Sequence, residues 1–374
     1  MTGKNLEETV SSLDELIASV ADIDLTAQES ARRRWDSIAK PIRGLGLMEE
    51  ALVRIAGIQR TPRISIKKKC VVVMCADHGV IKEGISQADE DVTRIVAENF
   101  SRRKTSCAIM ADIAGADVFP VDIGMVRDAA VENRKISRGT ANMLVEAAMT
   151  RQQALAAVWE GACKAKELSE QGYELVAVGE MGAGNTTAAS AIATVLLGLA
   201  TEKATGRGAG LSDEAYKHKI EVIRKAIERN NPDAGDPVDV LSKVGGLDIA
   251  GMAGVYLGCA SSGMAAVADG IISLAAALIA VRLCPLAGQY ILPSHRPAEP
   301  AGDSLLKELD MKPFFDCGLA LGEGAGAVML FPLLDMADAV YEGMDTFEEI
   351  NVGRYQYHAG GADDRETSCQ NELH

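Results

Sequence analysis

The densest chemistry in this sequence lies in Gly179-Glu180-Met181-Gly182-Ala183-Gly184-Asn185-Thr186-Thr187. A short apolar run, Leu175 to Val178, precedes it, and a helical stretch to about Leu199 follows, so a strand empties into a helix start here. Free amides and the helix dipole favour an anion at such a terminus. The glycines let that anion approach closely, and the threonine hydroxyls can donate to phosphate oxygens. No Walker A lysine is present, which favours a phosphate without magnesium-triphosphate machinery over ATP chemistry. The plainer alternative is a glycine-rich turn that serves packing alone.

Two further glycine clusters follow. Thr205-Gly206-Arg207-Gly208-Ala209-Gly210 precedes Ser212-Asp213-Glu214, a plausible helix cap, and an amphipathic helix carrying Lys219. The glycines fit a nest of amides. Lys219 either folds back towards a phosphate or is solvated. In Leu321-Gly322-Glu323-Gly324-Ala325-Gly326-Ala327, a carboxylate stands between two glycines in apolar surroundings. Partial burial would raise its pKa and suit it to general-base work; the alternative is a glutamate capping neighbouring amides. Gly322, Gly324 and Ala327 also satisfy GxGxxA, the basis of a rival reading as a nicotinamide-dependent oxidoreductase, although the run reaches Pro332 too soon for the usual long helix. Asp77-His78-Gly79-Val80, with Gly84-Ile85-Ser86 and Asp89-Glu90-Asp91, places polar groups after another apolar run, and His78 is either a ligand or a hydrogen-bonded structural histidine. Pro293 to Pro297 with Glu299-Pro300 forms a proline-stiffened loop that either lines the same cleft or merely turns.

The elements that must position these residues are short apolar strands separated by helices. Cys70–Cys75, Ala116–Ile123, Glu174–Val178, Ala266–Asp269 and Phe314–Leu319 read as strands, with helical lengths such as Asn142–Glu170 between them. This alternation predicts an α/β fold with a doubly wound, mostly parallel sheet covered on both faces, and ligands outside the carboxyl ends of the strands. Residues 1 to 60 and Leu333–Met344 read as helical. A net charge of −15 and only 4% aromatic residues disfavour nucleic acid and membrane surfaces. The opening MTGKNLEETV lacks an apolar core, so no signal peptide and a cytoplasmic location are expected. Thr186–Ala200 and Gly270–Val281 are too short to span a bilayer and read as buried helices. The scattered cysteines form no CxxC pair and the histidines no metal-ligand spacing, so reduced thiols and no protein metal site are expected.

Taken in order, these motifs resemble those of the nicotinate-nucleotide:dimethylbenzimidazole phosphoribosyltransferase family. The resemblance spans roughly residues 70 to 330 and includes Gly245-Gly246-Leu247-Asp248-Ile249-Ala250, Asp269-Gly270-Ile271-Ile272, Ser294-His295 and Ala298-Glu299-Pro300. It implies an α/β domain over 66–331, a smaller helical domain from 1–65 with 332–357, and a dimer, either of identical chains or with a homologous subunit; the polar composition of the end of the chain separately predicts a loose tail at 358–374. It implies Glu323 as the base that takes the acceptor's proton and Glu180 as a second carboxylate near the reacting centre. Gly182, Ala183, Gly184, Asn185 and Thr186, with Gly206 and Lys219, would hold the nucleotide phosphate. Asp77, His78, Ser86, Glu90, Met181 and Leu321 would face the aromatic base. The substrates implied are nicotinate mononucleotide and that base, with no cofactor. Glu90 departs from the family's usual glutamine and accepts where an amide donates, which opens the acceptor to a benzimidazole, a purine or a phenolic. Asp248 stands for a common glutamate and Ala183 for a bulkier aliphatic residue. The remaining alternative is a non-catalytic or partner-dependent subunit of a heterodimer.

Overall fold

The computed structural model describes residues 6–87 and 91–355. Its centre is the β-branched run read above as a strand: side chains apolar on both faces require cover on both faces, and β1 (Lys69–Ala76) is buried along its whole length. Five further strands, β2 (Ala116–Gly124), β3 (Glu132–Asn133), β4 (Leu175–Met181), β5 (Ala265–Ala268) and β6 (Ile291–Pro293), join it in one sheet. The order is β3-β2-β1-β4-β5-β6 and every pairing is parallel. The doubly wound parallel sheet expected from the sequence is therefore present. Chain order runs outward in opposite directions from the β1–β4 pair, and a crevice opens at the carboxyl ends of strands where the order reverses in this way.

One face of the sheet is sealed by the helix Leu247–Ser261, buried from Leu247 to Ala260, which packs on the helix Arg151–Glu170. Glycine sets that distance. A Cβ on Gly161 would lie 1.9 Å from the Gly251 carbonyl oxygen, and one on Gly254 as close to that of Val158.

The chain divides into two compact units, Met1–Ile23 with Ser65–Leu333, and Asp24–Ile64 with Leu334–His374. The helix Leu6–Ser19, expected above in the small domain, packs against Arg151–Glu170 and Leu247–Ser261 and clusters with the larger unit. Within the second unit, Trp35 and Tyr341 lie with ring centroids 5.0 Å apart, and the Tyr341 hydroxyl donates to the Pro62 carbonyl at 3.0 Å. The tail at 358–374 lies outside the described residues.

Several elements differ from their sequence expectations. Phe314–Leu319 forms no strand: it makes an isolated bridge between Phe315 and His295 and one further backbone bond, from the Ala298 amide to Leu319, interrupted where Gly318 turns left-handed with its amide on Asp316. The sheet's last strand is instead Ile291–Pro293, too short to read as a strand; its proline is tolerated because β6 is an edge. Arg151–Glu170 starts nine residues after Asn142, where Thr150 and Gln153 form a reciprocal capping box. The helix Ala325–Gly343 continues through Pro332. Val328, Leu330, Phe331 and Leu334 are buried around the proline, and their packing offsets the lost hydrogen bond.

Candidate active site

At the end of β4 the chain turns through Gly182, Ala183 and Gly184 into the helix Asn185–Leu197. Gly184, its N-cap, takes φ 96°, a conformation strained for any side chain, and it offers the first-turn amides no side-chain acceptor. Lys219, on the helix Asp213–Asn230, is only 1% exposed, and its Nζ donates to Thr186 Oγ1 at 2.9 Å. Burial pulls its pKa down to about 8, opposed by the nearby Glu299 carboxylate. Of the two possibilities for this lysine, burial beside the glycine loop is the one observed.

Gly322, Glu323 and Gly324 take φ values of 82°, 65° and 86°, three left-handed residues in a row. For the glutamate this costs about 1–2 kcal/mol. Neighbouring carboxylates hold the loop: the Glu323 amide donates to Glu180 Oε1 at 3.3 Å and the Gly324 amide to Asp269 Oδ2 at 3.1 Å. The loop also interlocks with β4, since a Cβ on Gly179 would meet the Glu323 carbonyl oxygen at 2.5 Å. Glu323 Oε2 accepts from the Cys107 amide at 3.1 Å, at the start of the helix Ser106–Ile113. The side chain thus caps an amide while facing the cavity.

That cavity, of about 420 Å³, lies at the carboxyl ends of β4 and β5. Ser86, Glu180, Met181, Gly182, Ala183, Gly184, Asn185, Thr186, Leu321 and Glu323 all line it, brought together from three separate stretches of sequence. Its carboxyls hold their protons unusually well. Burial pushes Glu180 up to about 8, reinforced by Asp248 and Asp269. Asp269 rises to about 6 through burial, against the pull of backbone amides that include Gly324 and Ala327. Burial raises Glu323 and Glu299 as well.

Other expected site residues lie elsewhere. Lys219 reaches the cavity through Thr186, while Gly206 packs against Glu299 and Pro300. Asp77 and His78 do not line it: Asp77 Oδ2 accepts from the Val126 amide at 2.7 Å, and His78 Nε2 lies 3.0 Å from Asp248 Oδ1 behind the glycine loop. Glu90 is outside the described residues. Asp269, which received no role from the sequence, also lines the cavity, and so do His295 and Glu299: of the two readings of the proline-stiffened loop, lining the same cleft is the one observed, and the His295 ring stacks on Phe315 with centroids 5.9 Å apart. Asp269 was findable, for it ends a strand and precedes a glycine, as Asp77 nearly does. The roles of His295 and Glu299 within that loop were not legible, because the strand before it is too short to recognise.

A family model described as Phosphoribosyltransferase matches residues 20–352. Among curated proteins, one from Clostridium acetobutylicum is 41% identical over 347 residues, covering 92% of this chain and 99% of the relative. One from Acetivibrio thermocellus is 42% identical with the same coverage. Both are named nicotinate-nucleotide–dimethylbenzimidazole phosphoribosyltransferase. A crystal structure of CobT from Thermus thermophilus superposes with a TM-score of 0.83 at 36% identity, covering 88% of this chain and 100% of that one.

Proposed function

This chain belongs to the phosphoribosyltransferase family, and on that premise we propose that it moves the 5-phosphoribosyl group of nicotinate mononucleotide onto an aromatic lower-ligand base for cobamide assembly. The observation that carries this is a single cavity containing an uncapped helix start with a buried lysine beside it and, from another loop, a carboxylate of raised pKa. The first pair suits a 5′-phosphate: amides and a buried ammonium bind the dianion without a metal. Glu323 then takes the N–H proton of an azole acceptor while the ring nitrogen's electron pair forms the bond to C1′. Nicotinate leaves with the electrons of the broken C–N bond. Because its nitrogen departs from a pyridinium, it needs no acid. Attack from the opposite face gives the α-riboside 5′-phosphate.

Positive charge develops on the ribose during the exchange, and a nearby carboxylate stabilises it only if ionised. At neutral pH that condition favours Asp269, near 6, over Glu180, near 8. Glu180 accordingly acts through the Glu323 backbone that it holds. The acceptor is an aromatic base of the benzimidazole, purine or phenolic class. The protein works without a cofactor in the cytoplasm, as a dimer of identical chains or with a homologous subunit. Among the described residues no helix is long and apolar enough to cross a membrane.

The test is nicotinate release from nicotinate mononucleotide by the purified chain, with dimethylbenzimidazole, adenine or p-cresol as acceptor. Acceptor-dependent release, reduced about 10²- to 10⁴-fold in Glu323→Gln, is expected. No release despite nucleotide binding would replace this reading with that of a subunit requiring a partner.

A further inference from the structure

From His78 and Asp248 behind the glycine loop to Asn185 and Glu180 in the cavity wall runs a buried chain of polar groups. Asp248 is completely buried, and His78 Nε2 stands 3.0 Å from its Oδ1, though not in line for a hydrogen bond. The Ile249 amide donates to the same oxygen at 2.9 Å. Asp248 Oδ2 accepts from Asn185 Nδ2 at 3.2 Å, and that amide nitrogen also donates to Glu180 Oε2. Glu180 Oε1 closes the chain by accepting from the Glu323 amide at 3.3 Å. The two hydrogens of the Asn185 amide are thus shared between two carboxyls. Glycines make room for this chain: a Cβ on Gly182 would lie 2.9 Å from Asp248 Oδ2, and one on Gly246 would lie 2.1 Å from His78 Cε1.

We infer that Asp248 is a positioning residue: backed by His78, it fixes the Asn185 amide, which fixes the Glu180 carboxyl under the backbone of Glu323. It touches no substrate. The glycine loop therefore serves two faces, an anion on one and this chain on the other. The chain also sets a charge state. The groups facing Glu180 are Asp248, Asp269, the Glu323 loop and the Cys75 thiol, with His78 one step further back. Among the described residues they include no cation in direct contact, and burial beside these acids keeps the Glu180 proton in place at neutral pH.

The experiment uses the full-length protein, labelled with ¹³C at the glutamate carboxyls, with the Glu180 signal assigned through Glu180→Gln. In wild type its titration midpoint should lie near 8. In Asp248→Asn the midpoint should fall, because a neighbouring negative charge is gone. In the same variant kcat should drop by about 10²-fold with little change in KM for nicotinate mononucleotide, since Glu323 is misplaced while the phosphate cradle is intact. An unchanged midpoint in Asp248→Asn, or a kinetic loss confined to KM, would overturn the inference. So would a wild-type Glu180 already ionised at pH 6, a result that needs no folded variant. The kinetic arm rests on the function proposed above, whereas the carboxyl titration is read without substrate, so the two can fail separately.

Discussion

Two clusters of acidic side chains in the larger unit show how the same residue types serve different ends. Beside β3, Glu132, Glu160 and Glu167 surround Arg134 and Lys164, with Arg134 3.2 Å from Glu160 and Lys164 2.5 Å from Glu132. Each carboxylate has a cation, and these partners hold Glu132 below its ordinary range despite partial burial. At the ends of β4 and β5, Glu180, Asp269 and Glu323 share the cavity with each other, and burial drives all of them upward. Pairing makes the first cluster a fastening; its absence leaves the second able to exchange protons near neutral pH. The comparison teaches that in this protein the candidate chemistry sits where acids contact each other's loops and not a cation.

After the loss expected in Glu323→Gln, the largest effect again tests the unpaired cluster. Asp269→Asn should lower kcat by about 10²- to 10³-fold in steady-state assays, as removing a group that stabilises developing charge does. A loss below threefold would shift that role to another group. Next, Lys219→Met should raise KM for nicotinate mononucleotide by about 10- to 10²-fold, the worth of one charged hydrogen bond to phosphate. In wild type the affinity should weaken as pH rises through about 8, where the buried ammonium loses its proton. Isothermal titration across that range reads this directly.

A smaller effect separates the clusters. Arg134→Ala should cost about 1–3 kcal/mol of stability in urea denaturation by stranding half-buried carboxylates, with transfer activity unchanged. Because Glu132 is held low in the folded state, its contribution is full at neutral pH and fades as the solution becomes acid enough to protonate it. A last effect has the opposite sign. Glu180 keeps its proton in the folded protein from its ordinary value of 4.5 up to about 8, whereas the unfolded chain has lost it above 4.5. The folded state binds more protons in that window, so stability should decline as pH rises through it. Thermal melts between pH 5 and 8.5 should show a shallower decline in Glu180→Gln. Equal slopes would mean that Glu180 is not strained by its burial.

Much of this protein was determined by local sequence. The Val71–Val73 run could only be a strand covered on both faces, and the glycine-rich stretch from Gly179 could only be a close turn into a helix. Glu323 between two glycines announced an unusual backbone, and it takes φ 65°. The expected glycine-loop residues line one cavity because strand ends in a parallel sheet converge by topology. Tertiary structure decided what depends on distant neighbours. Phe314–Leu319 had the apolar content of a strand but no continuous partner, and Ile291–Pro293 had too few residues to show a period yet found an edge. Pro332 broke no helix because packing around it outweighed a single hydrogen bond. Lys219 had the pattern of a surface lysine, and only the fold buried it against Thr186. Asp77 and His78 followed a strand as ligands do, but tertiary packing turned Asp77 to the Val126 amide and placed His78 behind the loop. Local pattern fixes backbone preference and the residue types on offer. Which carboxylate meets a cation and which another carboxylate is settled by residues as far apart as Glu180 and Glu323, and so is the chemistry.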